Sequence, residues 1–243
     1  MGKVVVVGIG PGRYEDMTIR ADEALKECDA IIGYNVYVDL VKERYPDKEF
    51  VTTPMTREAQ RCQIAIDMAL EGKNTAMVCS GDSGIYGMAA LVYELRGENK
   101  EPEIEVIPGL TAACSGAALL GAPLTHDFAV ISLSDRLTSW EKIEARLRAA
   151  ASADLSIVLY NPSSKGRPDY LKRACDILLE ILPADRPCAI AQYIGREGQN
   201  RRMLTLGQLR DTEADMFCTV FIGNEMTRMI ASNMVTPRGY RNV

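Results

Sequence analysis

VVVVGIGPGRYEDMT, Val4 to Thr18, places four consecutive β-branched residues in front of Gly8, Gly10 and Gly12. A short apolar run that breaks at glycine predicts a strand buried on both faces, the usual opening of an α/β unit. The glycines invite comparison with the dinucleotide fingerprint G-x-G-x-x-G, but its third glycine would fall where Arg13 stands. Pro11 removes a backbone donor and fixes φ. The next helical pattern starts only near Thr18, so no helix N-terminus is in place to receive a pyrophosphate. The stretch predicts a stiff bend that brings backbone close to another ligand or another loop.

Working outward, β-branched runs alternate with amphipathic stretches along most of the chain, which predicts an α/β protein with largely parallel strands. Strands are expected at 3–8, 30–34, 49–52, 75–80 and 103–107, then at 129–132, 155–160, 187–193 and 218–223. Helices are expected over TIRADEALKECD and over REAQRCQIAIDMALEGK, with Gly72 closing the second. Thr138-Ser139-Trp140-Glu141 fits a capping box opening a helix to about Ala150. RRMLTLGQLRD reads as an antiparallel hairpin arm, and the small-residue segment Pro108 to Leu124 as a loop entering a tightly packed helix. Two α/β domains result, residues 1–115 and 116–243.

Composition narrows the function. The chain has 243 residues, 47% hydrophobic and 25% charged, enough for a substantial core. Its 28 basic against 33 acidic side chains leave a net charge of −5, which argues against nucleic acid as a partner. No apolar run approaches the ~18 residues of a spanning helix, and the opening residues lack the apolar core of a signal peptide. A cytoplasmic protein without a membrane partner is expected. Seven scattered cysteines without any C-x-x-C pair exclude a zinc framework, so no metal site is expected and most thiols should be reduced and buried.

Chemistry is expected in three loops that follow strands. The first is Gly8–Arg13; the second is SGDSGIYGMA, Ser80 to Ala89; the third is IPGLTAACSG, which offers Thr111 beside the second. In open α/β sheets, ligands sit outside the carboxyl ends of the strands. Asp82 reads either as a ligand contact or as the cap of a tight turn.

Taken in order, VGIGPG, SGDSGIYGMA, VIPGLTA and GAPLTHDFAVISLSD resemble the tetrapyrrole (class III) S-adenosylmethionine methyltransferases, over essentially the whole chain. LYNPSSKGR and the terminal VTPRGY are similar to the branch of cobalamin biosynthesis that methylates carbon 17 of precorrin-3B or cobalt-precorrin-3 with contraction of the macrocycle. The resemblance implies two α/β domains with a ligand cleft between them and a homodimer. It implies S-adenosyl-L-methionine as methyl donor, S-adenosyl-L-homocysteine as product, and a small-molecule tetrapyrrole substrate that carries any cobalt itself. It assigns Pro11, Gly81, Asp82, Ile85, Thr111, Ala112, Tyr160 and Asn161 to the cofactor, with Gly223 nearby. It puts Gly10, Gly12 and Arg13 at the substrate. Lys165 and Arg167, together with Arg136 and Arg196, are candidates for gripping its carboxylates. For the acid–base work of contraction, His126 and Asp135 are candidates, ahead of Ser132, Ser134 and Ser163. His126, the only histidine, reads equally as a structural turn residue. Another tetrapyrrole methyltransferase, or a non-catalytic cofactor-binding module on the same scaffold, stays open as an alternative.

Overall fold

A computed structural model describes residues 1–164 and 166–240. The chain divides into two compact units, Met1–Ala112 and Ala113–Val243, each treated separately below.

The first unit runs β1 (Lys3–Gly8), α1 (Ile19–Glu27), β2 (Ala30–Tyr34), α2 (Asn35–Val38), β3 (Glu49–Thr53), α3 (Glu58–Leu70), β4 (Thr75–Cys79), α4 (Ala89–Arg96) and β5 (Glu103–Ile107). Its five strands form one sheet in the order β3-β2-β4-β1-β5, and every pairing is parallel. The valines of β1 show why. Val5 and Val7 face the core shared with α1, while Val4 and Val6 face the one shared with α3 and α4. A strand covered on both sides needs an unbroken apolar run rather than an alternating one. The helix expected near Thr18 is present, with the Thr18 hydroxyl accepting from the Ala21 N–H at 3.1 Å as its N-cap.

The second unit continues from α5 (Ala112–Leu120) through β6 (Gly121–Ala122), β7 (Phe128–Ser132), α6 (Trp140–Ser152), β8 (Ser156–Tyr160), α7 (Tyr170–Leu179) and β9 (Pro187–Gln192). It ends with β10 (Asn200–Thr205), α8 (Leu206–Arg210), β11 (Cys218–Ile222), β12 (Arg228–Ile230) and β13 (Asn233–Val235). Helix α5 is the tightly packed helix expected from its small residues. A Cβ on Gly116 would stand 2.7 Å from the Phe221 ring.

Three expectations need correction here. The main sheet, ordered β10-β9-β11-β8-β7, is parallel only at β7–β8, and its other three pairings are antiparallel. Strand β11 enters between β8 and β9 against their direction, which the β-branched run of a buried strand cannot announce. RRMLTLGQLRD is strand only as far as Thr205; there the Thr205 hydroxyl and Gln208 form a capping box and start α8. At α6 the N-cap is Ser139 rather than Thr138, and its side chain makes no capping bond.

Candidate functional site

In the first unit all strands point the same way, so the loops after β1, β4 and β5 leave one edge of the sheet, with β1 between β4 and β5. Backbone contacts join them. Gly10 and Gly81 exchange two hydrogen bonds, the Gly10 N–H to the Gly81 carbonyl at 3.1 Å and the Gly81 N–H to the Gly10 carbonyl at 2.7 Å. A Cβ on Gly109 would meet the Gly81 oxygen at 2.2 Å and the Gly8 oxygen at 2.6 Å. Three main chains therefore touch where any side chain would hold them apart. Gly10 and Gly81 also lie at φ +72°, in the region that glycine adopts without strain.

Asp82 locks the second loop to the third. Its Oδ1 accepts the N–H groups of Gly84 and Ile85 at 2.8 and 2.9 Å, and its Oδ2 accepts that of Gly109 at 2.9 Å. The turn-capping reading of Asp82 is met here, and the residue lies at the carboxyl-terminal edge of the sheet. Ser83, fully buried, donates to the Ile107 carbonyl at 2.8 Å and ties the same loop to the end of β5. Around this scaffold Pro11 is buried and Arg13 exposed. Ile85, Tyr86 and Leu110 leave apolar surface in the open at 43%, 54% and 39% exposure, and Thr111 is buried beside Gly81. The Cys79 thiol at the end of β4 is pushed up to about 11 by burial, which keeps it protonated and inert.

In the second unit Tyr160 and Asn161 end β8. The Tyr160 hydroxyl accepts the Ala113 N–H at 2.7 Å, and the Asn161 amide, on a residue at φ 53°, donates to the Ser132 hydroxyl at 2.9 Å. Arg167 and Asp135, expected to act separately on substrate, pair with each other at 3.3 Å. Arg167 also donates to the hydroxyls of Ser134 at 2.6 Å and Ser164 at 3.1 Å, and Asp135 accepts a hydrogen bond from the Tyr170 hydroxyl at 2.5 Å. The Tyr170 bond and the neighbouring guanidinium hold the Asp135 carboxyl below the usual carboxylate range. Tyr170 carries no motif signal in the sequence, because only the packing of α7 brings it to Asp135. His126 is exposed, and its Nε2 lies 2.9 Å from the Pro237 carbonyl oxygen, inside the VTPRGY segment. Lys165 lies outside the described residues. Among the described residues, no group of three metal-ligating side chains occurs.

The scaffold is that of a solved methyltransferase, CobJ. That crystal structure superposes with a TM-score of 0.91 at 37% identity, over 98% of this chain and all of that one. The chain belongs to the tetrapyrrole (corrin/porphyrin) methylase family, whose profile matches residues 3–210. It is 46% identical to a probable cobalt-factor III C(17)-methyltransferase of Salmonella typhimurium, over 97% of this chain and 98% of that protein. A precorrin-3B C(17)-methyltransferase of a Sinorhizobium species is 40% identical, over 98% and 97% of the two chains. The protein is thus a methyltransferase of the tetrapyrrole class. No helix among the described residues is long and apolar enough to cross a membrane.

Proposed function

We propose that this chain transfers a methyl group from S-adenosylmethionine to carbon 17 of a cobalt-bearing tetrapyrrole, cobalt-factor III, in a reaction coupled to contraction of the ring. The observation carrying this reading is the near-complete, 46% identical match to the Salmonella protein of that name, against 40% for the relative named for metal-free precorrin-3B.

The donor set of the first unit suits a sulfonium cofactor. The loops 80–89 and 108–112 contain no lysine or arginine, expose backbone and apolar groups, and carry the Asp82 carboxylate. These two loops therefore set no cationic side chain against a sulfonium. Pro11, Gly81, Asp82, Ile85, Thr111 and Ala112 would hold the cofactor there, and Gly10, Gly12 and Arg13 would meet the tetrapyrrole.

When bound, S-adenosylmethionine would supply a methyl group activated by positive sulfur to an electron-rich pyrrolic carbon and leave as S-adenosylhomocysteine, chemistry that asks for no strong base. The residues of this chain then have to orient and exclude water rather than move protons. Asp82 fits that division. With three backbone N–H bonds on its oxygens, it fixes the geometry of two loops and presents a muted charge. A bare carboxylate would favour the cationic ground state over a transition state that is losing its charge.

The test is incubation with S-adenosylmethionine and either cobalt-factor III or precorrin-3B, with the product's carbon-17 methyl read by mass and ¹³C NMR. Turnover of cobalt-factor III is expected to exceed that of precorrin-3B at least tenfold. Methylation at another carbon, or of neither compound, would sink the proposal.

A further inference from the structure

We infer that Arg61 is a substrate subsite, at which a peripheral carboxylate of the tetrapyrrole docks on the guanidinium beside the ends of β2 and β3. The inference rests on the proposed tetrapyrrole substrate and adds a contact that the glycine loops do not make.

Arg61 lies in the first turn of α3 and is only 4% exposed. Its Nε donates to the Thr53 hydroxyl at 2.8 Å and its Nη2 to the Pro54 carbonyl at 3.1 Å, while the Tyr34 ring stands 5.9 Å from its Cζ. All three partners are neutral, and no carboxylate among the described residues forms an ion pair with it. A guanidinium carries five N–H groups, of which two are used here. A charge taken out of water without a counterion is expensive, so an arginine in this state is completed by an anion from elsewhere.

Its place in the fold says which anion. Tyr34 and Thr53 end β2 and β3, so the guanidinium lies at the same strand-terminal edge as the glycine loops. Strand β3 stands two steps from β4, about 10 Å at the spacing of neighbouring strands. A ligand reaching from the Asp82 loop to Arg61 must therefore be broad, with acidic groups on its rim. The N-terminal N–H groups of α3 add positive potential at the same spot. Glu58, the nearest acid in sequence, forms no ion pair with it and accepts the Thr56 N–H at 3.2 Å. The described side-chain atoms that are sealed from solvent without a partner are Nε of Arg96 and of Arg186, so Nη1 of Arg61, which bonds neither Thr53 nor Pro54, keeps an opening to the surface.

The experiment measures three quantities on wild type, Arg61→Gln and Arg61→Lys. These are affinity for cobalt-factor III by absorbance titration, affinity for S-adenosylhomocysteine by calorimetry, and the melting temperature without ligand. Uroporphyrin III, a non-cobalt polycarboxylate, serves as a second probe. Arg61→Gln should bind both tetrapyrroles at least tenfold more weakly, keep cofactor affinity within twofold, and melt no lower than wild type. Arg61→Lys should recover part of the loss. An arginine serving only as a strut between α3 and β3 predicts the reverse, a lower melting temperature with unchanged tetrapyrrole affinity, and that result would overturn the subsite. So would equal weakening of cofactor and tetrapyrrole, or a wild type that binds neither probe. If Arg61→Gln does not fold, Thr53→Ala, which removes the acceptor orienting the guanidinium, must weaken tetrapyrrole binding in its place. Retained binding that depends on Arg61, without methylation at carbon 17, would refute the proposed reaction and leave the subsite standing.

Discussion

Gly109 carries more of this site than any ionisable residue, because its missing side chain lets three main chains meet. A methyl group there would have to displace the Gly81 and Gly8 carbonyls, 2.2 and 2.6 Å away, and both belong to backbone that cannot swing aside. Gly109→Ala should therefore cost about 2 kcal/mol or more of stability, as overpacking does. It should also weaken S-adenosylhomocysteine binding at least tenfold by parting the second and third loops. Denaturant unfolding and calorimetry on the same sample check both, and unchanged affinity would show that the contact of the loops is dispensable. At this scale the sequence was legible wherever backbone geometry demanded a residue type. Glycine density and Asp82 marked loops that meet at one edge of the sheet. It was illegible where a side chain's partner came from far along the chain. Nothing in the sequence announced that Arg167 and Asp135 pair with each other and with Ser134 and Tyr170.

Helix α1 shows how an element is tied to the loop that precedes it. Asp22, on a side chain 8% exposed, accepts the Tyr45 hydroxyl at 2.7 Å, the Tyr14 hydroxyl at 3.2 Å and the Lys26 ammonium at 2.5 Å. Arg44 lies 3.6 Å away and stacks on the Tyr14 ring at 3.1 Å. Burial alone would raise the Asp22 carboxyl, but the hydrogen bonds from Lys26, Tyr45 and Tyr14 outweigh it, and the net displacement is downward from 3.8. A carboxyl held lower in the folded than in the unfolded chain stabilises above its unfolded pKa, and that contribution is lost as pH falls through the folded value. Asp22→Asn should thus melt lower than wild type at pH 7, with the gap closing below about pH 4, the ordinary aspartate range. Melting curves from pH 7 to pH 3 measure it, and a gap independent of pH would show that the charge is not what matters. The strands of the first unit were legible almost to the residue, since burial on both faces writes itself as unbroken apolar runs, and α1 and α3 were legible to within a few residues, whereas the short α2 and α4 were not. The second unit's sheet was misread because strand direction depends on which strand inserts beside which, and composition does not record that.

Across the whole molecule the cysteines behave as small core residues. Six of the seven are buried and Cys114 is exposed. Burial pushes the Cys28, Cys79 and Cys218 thiols up to about 11, those of Cys62 and Cys175 up to about 12, and raises Cys188 as well. Ellman's reagent at pH 7.5 should accordingly titrate one fast thiol in the native protein and seven in guanidinium chloride. Cys114→Ser should leave none fast, and a second rapid thiol would mean that a core opens. The amino-acid sequence by itself determined the class of fold, the positions of the three loops and the kinship with tetrapyrrole methylases. Those depend on local backbone chemistry and on motifs that stand contiguous in the chain. Tertiary structure alone decided that Gly8, Gly81 and Gly109 share one point, that Asp82 spends its oxygens on two loops, and that Arg61 is buried without a counterion among the described residues. Each of these depends on distances between residues remote in the chain, which only the pairing and twist of the strands set.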